Sequence, residues 1–182
     1  IWIARDVTER KRSELFLKES EERFRSYFNL PLVGIAITSP EKGWIDVNAK
    51  ACEMLGYTRQ ELTQLTWSEL THPEDLILDI ELFEKIMSGE IEQYSMDKRY
   101  FRKDGVMIYT NLGVGCVRKP DGSVDYTVAL IQDITERKQA EEALRRSEEE
   151  LRKKAKELEQ TLRSLRQTQA QLIQTEKMSS LG

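Results

Sequence analysis

The chain has 182 residues, 39% hydrophobic and 33% charged, with a net charge of −4. That balance suits one modest core plus a water-exposed helix and argues against disorder through the middle. Its 28 basic and 32 acidic residues are interleaved, which speaks against the basic face of a nucleic-acid binder, and no apolar run approaches the roughly 18 residues that span a bilayer. No nucleic acid and no membrane contact are therefore expected, and the cytoplasm is the expected compartment, an anchor elsewhere in a longer parent being left open. Cys52 and Cys116 lie far apart with no metal-ligand spacing and read as small buried hydrophobes in a reducing compartment.

The first residues, IWIARDVTER, read as the end of an apolar strand (1–7) running into a charged helix (8–29). A closely similar passage returns 127 residues later: DVTERKRSELFLKESEERFR at 6–25 and DITERKQAEEALRRSEEELR at 133–152 share eleven identical positions. A repeat of that kind predicts that a similar domain precedes residue 1. In each copy a strand ends at the Asp, the Thr hydroxyl is placed to cap the first helix amides, and Glu9 or Glu136 complements the positive end of the helix dipole.

From Thr8 to about Asn29 the pattern is helical, with Leu17, Phe24, Tyr27 and Phe28 on one side. Residues 32–38 and 44–47 are short β-rich runs separated by Pro40 and a Lys42-Gly43 turn. Asn48 is placed to cap a helix that Gly56 ends, and Thr58 with Glu61 forms a capping box. Pro73 sits in the first turn of a helix whose stripe is Leu76, Ile80, Phe83 and Met87, ending at Gly89. Three strands follow in hairpin series. The first, 92–102, alternates with Tyr94, Met96 and Tyr100 on one face; Asp104-Gly105 turns into 106–118, with Val106, Ile108, Leu112, Val114 and Cys116 on one face. Pro120-Asp121-Gly122 turns into 123–134, with Val124, Tyr126, Val128, Leu130 and Ile134. Gly113 and Gly115 read as room for close packing. The expected fold class is α+β, an antiparallel sheet with helices on one face.

At this point the residues resemble the PAS family, along the whole of 21–138. The resemblance is carried by NLPLVGIAI (29–37), DVNAKACEMLGYTRQEL (46–62), HPED (72–75), YFRKDGVMIY (100–109) and VALIQDITERK (128–138) taken together. It implies a five-stranded antiparallel sheet over 30–134 cupping short helices around a small apolar cavity, used to sense a ligand, a redox state or a partner. It also implies that Asp133 and Thr135 couple the last strand to an output helix. If a cavity exists, the inner faces predict Ile35, Met54, Trp67, Phe83, Tyr100, Leu112, Val114 and Leu130 around it. The plainer reading is that these side chains simply fill a core.

After Thr135 no proline or glycine appears until Gly182, so 135–182 permits one helix. Leu144, Leu151, Leu158, Leu165 and Leu172 recur every seven residues, which predicts a parallel coiled-coil homodimer. With these leucines at d, the a positions are Glu148, Ala155, Leu162 and Gln169, a weak seam suited to a helix that shifts between registers. The final QLIQTEKMSSLG (171–182) resembles the start of the dimerisation and phosphotransfer helix of sensor histidine kinases. That resemblance implies a parent that autophosphorylates from ATP and passes phosphate to a response regulator.

No catalytic apparatus is expected in this chain. His72, the sole histidine, reads as a cap or turn residue before Pro73, the alternative being a haem ligand, since a haem needs a strong axial donor and His72 is the one imidazole available. Neither cysteine sits in the Asn-Cys-Arg type motif of flavin photochemistry in the related light sensors, so no cofactor is predicted. Two functions stay open beside the kinase sensor: a ligand-free interaction module, and the same domain ahead of a cyclase or a transcription activator.

Overall fold

The structure, a computed structural model, describes residues 2–179. Its elements are α1 (Trp2–Phe28), β1 (Gly34–Thr38), β2 (Trp44–Val47), α2 (Ala49–Leu55), α3 (Arg59–Leu62), α4 (Trp67–Leu70), α5 (Pro73–Ser88), β3 (Gln93–Phe101), β4 (Met107–Arg118), β5 (Val124–Asp133) and α6 (Thr135–Ser179). The strands form one five-stranded sheet in the order β2-β1-β5-β4-β3, with every neighbour antiparallel. The chain divides into two compact units, residues 1–135 and 136–182. Among the described residues no helix is long and apolar enough to cross a membrane.

Local chemistry sets most of these boundaries. Asn48, only 1% exposed, spends all four of its hydrogen-bonding sites. Its Oδ1 accepts from the amides of Ile35 and Ala51, both at 2.9 Å, while its Nδ2 donates to the carbonyls of Phe28 and Val33 at 2.8 and 3.0 Å. One side chain thus caps α2, ends α1 and fixes the approach to β1. The Thr58–Glu61 capping box forms in both directions. Gly56 and Gly89 close α2 and α5 in the left-handed region at φ 76° and 80°, where a Cβ would be strained.

The core lies between one face of the sheet and α2 to α5, built around Leu55, Leu62, Phe83, Ile86, Tyr100 and Ile131. Arg99, on β3, holds the start of α5 to the sheet. Its Nε and Nη2 donate to the two Asp75 oxygens at 2.9 and 2.7 Å, its backbone amide adds a third bond to Asp75 Oδ2, and Nη2 also reaches Glu74.

Two expectations change, and one falls in part beyond the described residues. The strand expected over 1–7 is helical from Trp2, and Thr8 lies inside α1 rather than capping it. Among the described residues no strand lies beside that segment, so its amides and carbonyls find partners within a helix instead. Gly113 and Gly115 do not mark close packing: a Cβ on either would meet nothing within 4 Å. The close approach is at Gly34, where a Cβ would lie 3.2 Å from Ala51 Cα and 3.3 Å from Ile131 Cβ. Finally, Ser180, Leu181 and Gly182, the end of the kinase-like segment, lie outside the described residues.

Two outcomes follow for stability. Gly34→Ala should cost about 1–3 kcal/mol, because helix backbone cannot yield as a side chain does, whereas Gly115→Ala should stay within about 0.5 kcal/mol of the parent; urea titration of both checks the contrast. The Arg99 contacts hold the Asp75 carboxyl below its usual 3.8, against burial, which pushes it up. A depressed carboxyl adds stability that is present above pH 3.8 and lost as pH falls through the lower folded-state value. Asp75→Asn should therefore flatten the acid side of a Tm-against-pH curve while lowering Tm at neutral pH.

Candidate functional site

Two places in the first unit gather polar groups away from ordinary surface chemistry. One is the interior between α5 and β3; the other is the junction that closes β5.

The interior site follows from two periodicities. On β3 side chains alternate, so Tyr94, Met96, Lys98 and Tyr100 share the inward face. On α5, Asp79 and Phe83 are one turn apart and both buried. They meet around a cavity of about 20 Å³, room for about one water molecule. Its wall includes Trp67 from α4, Leu112 and Val114 from β4, Thr38 from β1, and Thr127 and Ala129 from β5. Thr38 and Thr127 are cross-strand partners whose hydroxyls lie 2.5 Å apart.

Across this interior runs a buried ion pair. Lys98 Nζ donates to Asp79 Oδ2 at 2.5 Å, both side chains being 1% exposed, and to Thr71 Oγ1 at 3.1 Å. The ammonium lies 4.1 Å from the ring centre of Tyr100 and 5.0 Å from that of Trp67. Tyr94 donates its hydroxyl to Asp79 Oδ1 at 2.7 Å, so both carboxylate oxygens are engaged. Burial pulls the Lys98 ammonium down to about 8, and the neighbouring Asp79 charge opposes that shift. The Tyr94 hydroxyl is pushed up by burial and then by the Asp79 charge, and that of Tyr100 likewise.

Of the eight side chains expected at a cavity, Trp67, Phe83, Tyr100, Leu112 and Val114 do line this one. Met54 is buried in the core but does not reach it. Ile35 and Leu130 are misplaced by the alternation: they pair with each other across β1 and β5 on the opposite face of the sheet, and Leu130 is 49% exposed. The inward residues there are Ala36 and Thr38, with Thr127, Ala129 and Ile131. For Leu130 the phase slips because the register of β4 against β5 shifts at Val117/Arg118, and a one-residue slip exchanges the faces of everything after it; Ile35 simply holds an outward slot of β1 between Gly34 and Ala36. Asp79 and Lys98 were not expected at all. Their signal was positional: a lysine in the inward slot between Met96 and Tyr100, and an aspartate one turn before Phe83.

His72 lies elsewhere. Its Nδ1 accepts from the Glu74 amide at 3.3 Å as the N-cap of α5, and its ring packs against Phe101. It is not among the cavity-lining residues, so the geometry gives a haem in that cavity no imidazole. The Cys52 thiol is pushed up by burial, and that of Cys116 by burial and by its hydrogen bond to Glu92, the opposite of what a thiolate nucleophile needs.

At the junction, β5 pairs with β4 as far as Asp133 opposite Thr110. Ile134 then donates its amide to the Tyr109 carbonyl at 2.9 Å. Thr135 Oγ1 accepts from the Tyr109 amide at 3.0 Å and donates to the Tyr109 carbonyl at 3.4 Å. The Thr135 amide is bonded by Asp133 Oδ1 at 2.8 Å. The roles differ from a simple hydroxyl cap: the carboxylate of Asp133 serves the helix start, and the hydroxyl of Thr135 extends the sheet ladder by one more residue. In the second unit the heptad leucines of α6, Leu144 to Leu172, are 61–63% exposed, an apolar stripe open to solvent over about 42 Å.

Comparison with known proteins is consistent with this geometry. The "Probable diguanylate cyclase DgcE" of Escherichia coli is 41% identical over 126 residues, 69% of this chain and 11% of that protein. Sporulation kinase E of Bacillus subtilis is 33% identical over 153 residues, 80% of this chain and 19% of that protein. The chain thus spans less than a fifth of the length of these curated relatives. Among solved structures, the PAS domain of an HTR-like protein from Haloarcula marismortui superposes with a TM-score of 0.55 at 25% identity, over 68% of this chain and 99% of that one. A sensory box histidine kinase/response regulator from Burkholderia thailandensis gives 0.56 at 24%, over 72% and 98%. Residues 45–131 match the family described as the PAS fold, and with the five-stranded sheet and its helices the chain carries a PAS domain of the kind found in signal-transduction proteins, sensor histidine kinases among them.

Proposed function

We propose that this chain is the sensory module of a two-component sensor histidine kinase, relaying a signal through Asp133, Ile134 and Thr135 into a dimeric output helix. The observation that carries the reading is the pair of hydrogen bonds between the Thr135 hydroxyl and the Tyr109 backbone, one accepted and one donated. The first residue of α6 is part of the sheet ladder, so a displacement of β4 or β5 acts on the helix start directly.

The output helix is read as a parallel coiled coil of two copies, with Leu144, Leu151, Leu158, Leu165 and Leu172 along the seam. Their exposure in the single chain is what such a seam requires. The a positions supply little apolar surface outside Ala155 and Leu162, so the coil is marginal and two packings can lie close in energy. In this reading the parent protein autophosphorylates from ATP and hands the phosphoryl group to a response regulator, and the segment 171–182 leads into its phosphotransfer helix. The match to sporulation kinase E covers 80% of this chain against 69% for the cyclase, which favours a kinase output.

A second reading places the same module ahead of a diguanylate cyclase, and the 41% identity to the Escherichia coli protein favours it. The two separate in one assay of the parent protein. Acid-labile, base-stable phosphate gained from ATP supports the kinase; a cyclic dinucleotide formed from GTP, with no phosphate gained, assigns the cyclase.

For the helix, Leu151→Lys with Leu158→Lys should give a monomer by sedimentation velocity whose PAS core still melts cooperatively; a persistent dimer means that another face is the main interface. For the junction, Thr135→Val should cost about 1–2 kcal/mol, since it leaves the Tyr109 amide without its partner. Hydrogen exchange should speed up at the Tyr109 amide ahead of the rest of β4.

A further inference from the structure

The Lys98 head group has surroundings that a packing role does not explain. Lysines at the edge of a core ordinarily bury the stem and keep the ammonium in water. Here the stem runs inward from β3 and the charge itself is buried. A buried ion pair is seldom better for stability than apolar side chains of the same volume, so the arrangement has to be explained by what it recognises.

What surrounds the ammonium is a receptor for ammonium ions. Asp79 supplies the countercharge, held from its other oxygen by Tyr94. Thr71 supplies a neutral acceptor, and its own hydroxyl donates to the Trp67 carbonyl at 2.8 Å, which turns a lone pair toward Lys98. Tyr100 and Trp67 present ring faces, with Phe83 edge-on to Trp67 at 5.3 Å. A carboxylate combined with aromatic faces is how proteins recognise alkylammonium groups on separate molecules. The space left beside the head group, about 20 Å³, holds a water molecule at most.

We infer that the interior of this PAS domain is an alkylammonium-binding site whose ligand is the chain's own Lys98. Tethering makes occupancy intramolecular and therefore dominant over free amines at ordinary concentrations. An organic molecule larger than water enters only by displacing Lys98 from Asp79. This inference rests on the interior geometry and is independent of whether the output is a kinase or a cyclase.

The test is chemical rescue. Lys98→Ala removes three carbons and the amine, the equivalent of n-propylammonium. The variant should melt more than about 10 °C below the parent, because Asp79 is left as an unpaired buried charge. About 50 mM n-propylammonium chloride should restore about 5 °C or more, and sodium chloride at equal ionic strength should not. The parent protein, its site filled, should not respond to the amine, nor should Lys98→Ala with Asp79→Asn. An equal gain from sodium chloride, or an equal gain in the Asp79→Asn background, overturns the inference. If Lys98→Ala does not fold, the parent protein decides by NMR. One lysine, assigned to Lys98, should show side-chain protons shifted upfield by the Tyr100 ring and ammonium protons protected from exchange. Lysines that all exchange freely at unshifted positions overturn it.

Discussion

The register of strand β4 is the constraint on which the rest of this domain depends. On its inward face Ile108, Leu112 and Val114 complete the core. In one cross-strand row Thr110 stands between Lys98 on β3 and Asp133 on β5, and its hydroxyl donates to the Lys98 carbonyl at 3.0 Å. One residue earlier, Tyr109 offers its backbone to Ile134 and Thr135. The interior ion pair and the helix junction are therefore two ends of a single line across three strands. Slipping β4 by one residue would turn its apolar set outward and break both the Thr110 bond to the Lys98 carbonyl and the Tyr109 bonds at the junction, so the pairing is specified by burial and in turn holds the two ends in register.

The energetics of the interior explain why so polar a cluster survives there. A carboxylate and an ammonium removed from water lose several kcal/mol of solvation each, and their attraction compensates only if the remaining lone pairs and protons are satisfied. Here Tyr94, Thr71 and two aromatic faces complete the set. The cluster also joins elements far apart in sequence, since Asp79 belongs to α5, Thr71 follows α4 and Lys98 belongs to β3. Arg99, the next residue on β3, grips Asp75. Helix α5 is thus fastened to one strand by two adjacent residues, one pointing into the core and one toward solvent. A change in how α5 sits on the sheet is felt first along β3, and from there across β4.

Relatives that share a module of this kind bear the names of different catalytic proteins, a probable diguanylate cyclase and a sporulation kinase. That is what the division of labour in this chain accommodates: nothing in the junction geometry depends on the chemistry that follows, only on a helix beginning at Thr135. A fold does not by itself dictate an output.

How much of this was legible from residues alone divides along physical lines. Signals that act within a few residues read directly. The capping role of Asn48, the Thr58–Glu61 box, the Asp104-Gly105 turn and the heptad leucines each depend on spacing along one element, and the sequence determined them without help. The core was legible only in part: alternation on β3 and the stripe on α5 bring Tyr100 and Phe83 inward, but Lys98, Asp79 and Ile86 are buried beside them without having been expected there. What the tertiary structure alone decided is which inward faces meet. Asp79 and Lys98 are 19 residues apart and become partners only because α5 is laid across β3. Leu130 changed sides because the phase of β5 depends on a register shift against a neighbouring strand, and no local pattern carries that. Thr135 gave up the capping role that its own neighbourhood suggested because the Tyr109 backbone, 26 residues away, offered both a donor and an acceptor. Local hydrogen bonds and periodicity are encoded along the chain; the pairing of buried polar groups is settled only when distant segments remove the water between them.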